Sequence, residues 1–77
     1  MSKKSQLKRA IEDCELEIQA YEKKCERSQK AIMRAMLAGT KPSPEDQQYF
    51  TTFSALIDQE RERLRGLYSE LDELKKK

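Results

Sequence analysis

The sequence predicts an all-α fold, an antiparallel two-helix coiled-coil hairpin that uses residues 1–77 as a single unit. Two apolar stripes with heptad spacing, one in each half of the chain, predict two helices that pair lengthwise. Between the stripes, both prolines and one of the two glycines lie in the stretch LAGTKPSPEDQQYF, which predicts a turn. We expect helices at about 4–38 and about 44–75, with the turn at about 39–43.

The first stripe runs from Leu7 to Ala35 with alternating spacings of four and three residues. Such spacing keeps one helix face towards a partner helix over about four heptads. No proline or glycine interrupts the segment before Gly39, which favours one long helix. The members of the stripe are Leu7, Ile11, Cys14, Ile18, Tyr21, Cys25, Ser28, Ile32 and Ala35.

The turn carries the residues that end one helix and begin another. Gly39 suits the position after a helix C-terminus, where a positive φ is needed. Pro42 cannot continue the first helix. Ser43 and Pro44 fit the N-cap and the first position of the second helix, and Asp46 completes a capping box. These residues predict a hairpin and argue against one continuous rod.

The second stripe begins at Phe50 and has the same spacing as the first. Glu60 is its only polar member, as Ser28 is in the first stripe. These two stripes are expected to form the contact between the helices. The members of the second stripe are Phe50, Phe53, Ile57, Glu60, Leu64, Leu67, Leu71 and Leu74.

Folding the chain at the turn brings the two stripes face to face. The expected neighbours are Ile32 with Phe50 and Phe53, Cys25 with Ile57 and Glu60, Ile18 with Leu64 and Leu67, and Ile11 with Leu71 and Leu74. Ser28 and Glu60 fall near the same layer, which is open to two interpretations: a polar layer that fixes the register, or a glutamate that extends its carboxylate to solvent past its own stem. The residues that we expect in the core are Ile18, Ile32, Ile57 and Leu67.

Apolar residues outside the two stripes concentrate near the turn, whereas the chain ends are rich in lysine. Contiguous exposed apolar residues call for a binding explanation, and methionine supplies adaptable contact surface. We therefore predict a site for another helical protein. The alternative is a symmetric homodimer that buries the same residues in a four-helix bundle. The predicted partner-binding residues are Met33, Met36, Leu37, Tyr49 and Leu56.

Composition argues against most other function classes. The chain has no histidine, so it lacks the usual general base and a common metal ligand. We expect no enzyme activity, cofactor, metal or small-molecule substrate. With 16 Lys+Arg against 14 Asp+Glu, the net charge of +2 does not favour nucleic acid. No apolar segment approaches the roughly 20 residues that span a bilayer, and no cleavable signal is recognisable, so we expect a cytoplasmic protein without a membrane span.

The two cysteines, Cys14 and Cys25, lie on the predicted first helix, about 16 Å apart along its axis. A disulfide needs Cα atoms within about 7 Å, so the two cannot pair inside one hairpin. Buried thiols in a reducing compartment are the favoured interpretation. An intermolecular disulfide and a reactive thiol remain the alternatives.

The stretch KPSPEDQQYFTTFSALIDQERERLRGLY resembles the small YscE/SsaE/EscE-type proteins of bacterial type III secretion systems. In that family a Pro/Asp–Gln–Tyr segment opens the second helix and an aliphatic, alanine-rich face follows. The preceding MRAMLAG is similar to the end of the family's first helix, so the resemblance covers about residues 31–57. The matching residues are Pro44, Asp46, Gln47, Gln48, Tyr49, Ala55, Leu56 and Ile57.

This resemblance implies a co-chaperone. The family's members are cytosolic helical hairpins that partner a tetratricopeptide-like chaperone, and the pair keeps the secretion needle subunit monomeric. A needle subunit and a stalk component of the secretion ATPase are the neighbouring alternatives. The lysine-rich tails and the charged segment ERERLR depart from the family pattern.

Overall fold

A computed structural model describes residues 2–76, which form two long α-helices folded back on each other. Helix α1 spans Lys3–Leu37 and helix α2 spans Pro44–Lys75. The helices pack along their length into a rod of 58 × 17 × 15 Å. The all-α helical hairpin predicted from the sequence is therefore confirmed. Within residues 2–76, neither helix is long and apolar enough to cross a membrane.

Helix α1 ends in a Schellman motif built on Gly39, whose φ is +74°. The Gly39 amide donates to the Met36 carbonyl at 3.1 Å, and the Thr40 amide donates to the Ala35 carbonyl at 2.9 Å. The Thr40 hydroxyl donates to the same Ala35 carbonyl at 3.0 Å. These bonds satisfy carbonyls that the end of the helix leaves without a partner.

Helix α2 begins with the predicted cap. Ser43 has extended backbone angles, and its Oγ accepts a hydrogen bond from the Asp46 amide at 3.3 Å. Pro44 occupies the first turn, where its missing amide proton costs nothing. The carboxylates of Glu45 and Asp46 lie in the same turn, where the helix dipole favours negative charge.

Replacing Ser43 by Ala is expected to lower the free energy of unfolding by about 1 kcal/mol, because the Asp46 amide loses its acceptor. Ser43→Gly should cost only a few tenths of that amount. Urea denaturation followed by circular dichroism measures both. Ser69→Ala, in the exposed middle of α2, is the control. A cap variant as stable as this control would contradict the assignment.

The core follows the two predicted stripes. All of their members are buried or half-buried, so the heptad assignment is correct. Near the chain ends, Leu7, Ile11 and Leu71 form one buried cluster. Further along the rod, Cys14, Ile18 and Ile57 form a second cluster, against which Leu64 and Leu67 pack. Of the four expected core residues, Ile18 and Ile57 are buried, while Ile32 and Leu67 are only half-buried.

The register between the helices agrees with the expected one in part: Leu64 and Leu67 pack against the cluster of Ile18, and Leu74 packs against the cluster of Ile11 and Leu71. The ring of Phe53 lies 5.6 Å from the ring of Tyr21 rather than opposite Ile32. Glu60 contacts Cys14 rather than Cys25. These two contacts are shifted by about two turns from a register in which the helices begin level at the turn, whereas the Glu22–Arg61 and Glu15–Tyr68 contacts fit that register.

The polar layer between Ser28 and Glu60 is not formed. The Ser28 hydroxyl donates to the Cys25 carbonyl of its own helix at 2.9 Å. The Glu60 side chain is 19% exposed, so its carboxylate does not extend freely into solvent either. Its Oε2 atom contacts the Cys14 thiol and, at 3.5 Å, the Arg63 guanidinium. The two polar members of the stripes thus find separate partners.

Candidate protein-binding site

The predicted partner-binding residues of α1 are well exposed. Met33, Met36 and Leu37 have exposed fractions of 54%, 66% and 87%. Met33 is separated from the other two by three and four residues, so the three side chains share one side of the last turns of α1. We call these three residues the methionine surface.

The predicted residues of α2 belong to an aromatic cluster. The ring of Tyr49 lies 4.5 Å from that of Phe53, which in turn contacts Tyr21 of α1. The Lys24 ammonium lies 5.2 Å from the Phe53 ring centroid, within cation–π range. Tyr49 is 42% exposed, whereas Leu56, two turns further along the same face, is half-buried. We call the side of the hairpin that carries Lys24, Tyr49 and Leu56 the aromatic flank.

The opposite side of the hairpin carries an open groove between the helices, with a volume of about 390 Å³. We call this side the groove flank. Half-buried Cys25, Phe50 and Ser54 and buried Ile57 lie at the bottom of the groove. Its rims are charged or polar and consist of Glu22, Glu26 and Gln29 from α1 and Asp58 and Arg61 from α2.

The structure does not bring the five predicted residues together on one surface. Met36 lies seven residues after Gln29, which places it on the groove flank, above the rim of α1. Tyr49 and Leu56 lie on the aromatic flank with Lys24. The single site expected from the sequence is therefore two surfaces, separated by the line of contact between the helices.

The sequence reasoning missed the groove and its acidic rims. The heptad positions of these residues contained the missing signal. Glu22, Gln29 and Met36 are spaced seven residues apart and lie on one side of the first stripe. Tyr49 and Leu56 are seven residues apart, and each directly precedes a member of the second stripe. Both therefore lie on the other side of that stripe. In an antiparallel pair, like positions of the two helices meet along each flank. Sorting apolar residues by heptad position would have separated the two surfaces.

Two contacts between the helices run along the groove flank. The Arg61 guanidinium and the Glu22 carboxylate are 4.0 Å apart and bridge the helices at one end of the groove. Further towards the chain ends, the Tyr68 hydroxyl donates to the Glu15 carboxylate at 3.0 Å. These side chains are largely exposed, so each contact adds little to stability. They bridge the helices on the side of the groove nearer the chain ends, and a smaller open pocket of about 240 Å³ lies between them.

Cys14 is fully enclosed at the contact with α2. Its Sγ lies 3.2 Å from both the backbone carbonyl oxygen and the Oε2 carboxylate oxygen of Glu60, so the single thiol proton has two acceptors. Burial raises the pKa of the Cys14 thiol, and the hydrogen bond to Glu60 raises it further. The same hydrogen bond lowers the pKa of the Glu60 carboxyl. The thiol is thus held protonated as a donor, which makes it a poor nucleophile.

The Cys14 thiol makes the stability of the hairpin depend on pH. Its pKa in the folded chain is raised above the value of about 8.5 in the unfolded chain. The corresponding stability is therefore complete below pH 8.5 and is lost as pH rises towards the folded pKa. Between pH 7 and 10, the wild-type protein should lose more stability than Cys14→Ala, as measured by urea denaturation. Parallel losses in the two proteins would contradict the protonated thiol.

Cys25 differs from Cys14 in its surroundings. Its thiol is half-buried in the groove, with its Sγ 3.5 Å from the Ser54 hydroxyl. Both cysteines are free thiols. Within residues 2–76, no three side chains of the His, Cys, Asp and Glu types are grouped to hold a metal ion. The groove therefore presents shape, apolar area and charge, which are the properties of a binding surface.

Comparison with known proteins adds no relative to this description. No protein-family model, no curated protein and no solved structure is significantly similar to the chain. The features that bear on function are the groove, the methionine surface beside it, and the aromatic flank opposite.

Proposed function

We propose that this chain is a protein-binding module whose turn end packs against an amphipathic helix of another protein. The observation that carries the proposal is the uneven closure of the contact between the helices. Among the described residues, no hydrophobic residue of α1 after Ile18 and none of α2 before Ile57 is buried. The half of the hairpin nearer the turn leaves its stripe residues Ile32, Ala35, Phe50 and Phe53 half-buried.

A partner helix would complete this half of the hairpin. Two helices can cover only one stripe of each other, so apolar residues beside the stripes need a third element. The methionine surface adds three exposed apolar side chains next to the incompletely closed segment. Methionine side chains adapt to different partners because they are unbranched and polarizable. Burial of each such side chain against a partner contributes about 1.5–3 kcal/mol.

The finer proposal is a co-chaperone of type III secretion, and it rests on the resemblance of residues 31–57 to the YscE/SsaE/EscE-type proteins. In that role the chain assists a tetratricopeptide-like chaperone that keeps the needle subunit monomeric. A subunit that polymerises exposes an amphipathic helix before assembly, and a hairpin with an open apolar end suits the task of covering it. Cytoplasmic location belongs to the same proposal.

Charged substitutions on the two flanks test the proposal. The methionine surface is disrupted by Met36→Glu and the aromatic flank by Leu56→Lys, because a partner would have to desolvate the new charge. Each tagged variant is co-expressed with candidate chaperones and needle subunits and tested for co-purification. We expect one of the two variants to lose the partner while keeping its helicity and melting temperature.

Leu16→Glu is the matched control, since Leu16 is 62% exposed on α1 but far from the turn. It should bind as the wild type does. Sedimentation of the purified wild-type chain decides between a partner and self-association. A stable homodimer that both Met36→Glu and Leu56→Lys dissociate would overturn the proposal in favour of a structural four-helix bundle. A variant that unfolds would show that its residue supports the hairpin.

A further inference from the structure

We infer that the occupant of the groove is a basic amphipathic helix, one whose apolar side chains are flanked by Lys or Arg. This inference rests on the proposed function and specifies its partner. The geometry that carries it is an apolar floor, formed by Cys25, Phe50 and Ile57, between rims on which carboxylates predominate.

The groove has the length of a short helix. Its lining on α2 runs from Phe50 to Arg61, a span of about 16 Å or three turns. On α1, Met33 and Met36 continue the same flank for one and two turns beyond Gln29. A helix bound along the groove would therefore contact exposed methionines where it extends beyond the groove. Its anchors should recur at i, i+3, i+4 and i+7, the pattern of helices that bind in grooves.

The charges of the rims specify the flanks of that helix. Glu22 and Glu26 stand on the α1 rim, and Asp58 stands on the α2 rim with Arg61. Arg61 is paired with Glu22 at 4.0 Å. Lys30, on the outer side of α1, lies 3.3 Å from Glu26, and both side chains are more than half exposed. Within residues 2–76, Asp58 makes no ion pair. The two rims together therefore carry three carboxylates against one guanidinium, and Asp58 is the carboxylate that no described cation neutralises.

A second copy of this chain fits the groove poorly. Packing two groove flanks together would bring two pairs of rims on which carboxylates predominate against each other, which is unfavourable. The lysine-rich end of the hairpin has suitable charge, but its described apolar residues Leu7 and Ile11 are already buried in its own core. A basic amphipathic helix of a different protein would offer apolar side chains to the floor and positive charges to the rims.

Two synthetic peptides test the inference against the full chain. Both are about 15 residues long, enough for a marginal helix, and carry leucines at i, i+3, i+4 and i+7. One has lysines beside the leucines and the other has glutamates. Fluorescence anisotropy should show that the lysine peptide binds at least about tenfold more tightly at low salt, and that the difference shrinks as salt screens the charges. NMR shift changes should fall on Gln29, Ser54 and Met36.

The decisive variant reverses one carboxylate on each rim, Glu26→Lys with Asp58→Lys. It should abolish the preference for the lysine peptide. The control, Asp13→Lys with Glu73→Lys, changes the net charge equally at exposed positions away from the groove, and it should keep the preference. Circular dichroism checks that both double variants remain folded. Loss of the preference in the control as well would show attraction by net charge alone and would overturn the inference.

Failure of this inference is distinguishable from failure of the proposed function. Equal binding of the two peptides, or binding that Leu56→Lys abolishes and Met36→Lys does not, would sink the basic-helix assignment and leave a protein-binding module with another docking face. Binding of neither peptide, together with a homodimer in sedimentation, would overturn both.

Discussion

Ile18→Ala is expected to lower the free energy of unfolding by about 2–4 kcal/mol. Ile18 is 8% exposed and packs in one cluster with Cys14 and Ile57, against which Leu64 and Leu67 also lie. Removing its side-chain carbons leaves a cavity that two rigid helices cannot close completely. A single hairpin of this size has a small stability, so the change removes a large share of it.

Urea denaturation followed by circular dichroism measures the effect, with two matched substitutions for comparison. Ile32→Ala changes the same residue type at a half-buried position and should cost clearly less. Leu16→Ala, at a position 62% exposed, should leave stability nearly unchanged. The prediction is that the loss of stability decreases from Ile18→Ala to Ile32→Ala to Leu16→Ala. If Ile32→Ala cost more than Ile18→Ala, the turn end would be the better packed half in solution, and the open groove would not be a free surface.

The fold was predictable because its determinants are local. The spacing of the stripes from Leu7 to Leu74 identified the face that each helix buries, since residues three or four positions apart lie on the same face of a helix. The ends of the helices were equally predictable, because Gly39 and Ser43 are capping residues that determine the conformation of the backbone next to them. Neither kind of signal depends on how the two helices are placed relative to each other.

The register was only partly predictable from the same signals. Heptad spacing is periodic, so sliding α2 along α1 by a whole repeat keeps apolar residues in contact and changes only which ones meet. The choice depends on specific pairs, such as Glu60 with Cys14 and Phe53 with Tyr21. These pairs combine hydrogen bonding, aromatic contact and side-chain length, none of which appears in an apolar pattern.

The candidate site was only half predictable for a related reason. Exposed apolar residues near the turn could be named, but their arrangement around the rod depends on which side of the stripe each occupies. Met36 and Leu56 lie on opposite sides, so one partner helix in the groove contacts the first and not the second. The acidic rims were hidden among evenly mixed charges, and they acquire meaning only where Glu26 and Asp58 face each other across an apolar floor.

Cys14→Leu is expected to lower the free energy of unfolding by about 1–3 kcal/mol, through overpacking. The Cys14 side chain has no exposed surface, and its sulfur already lies 3.2 Å from the Glu60 backbone carbonyl oxygen. A leucine side chain is larger and must push the helices apart at this point. It also removes the donor that the Glu60 carboxylate uses, leaving a half-buried charge with less compensation.

Cys25→Leu supplies the matched comparison, because it makes the same change at the cysteine that lines the groove. Cys25 is half-buried and lines an open space of about 390 Å³, so the added carbons extend into the groove without a clash. We expect unchanged or slightly increased stability, since each CH₂ that becomes buried contributes at most about 0.8 kcal/mol. Equal losses at both positions would show that the helices close over Cys25 in solution. A large loss at Cys14 alone would establish that the hairpin is tightly packed at Glu60 and open at the groove, which is the asymmetry that leaves room for a third helix.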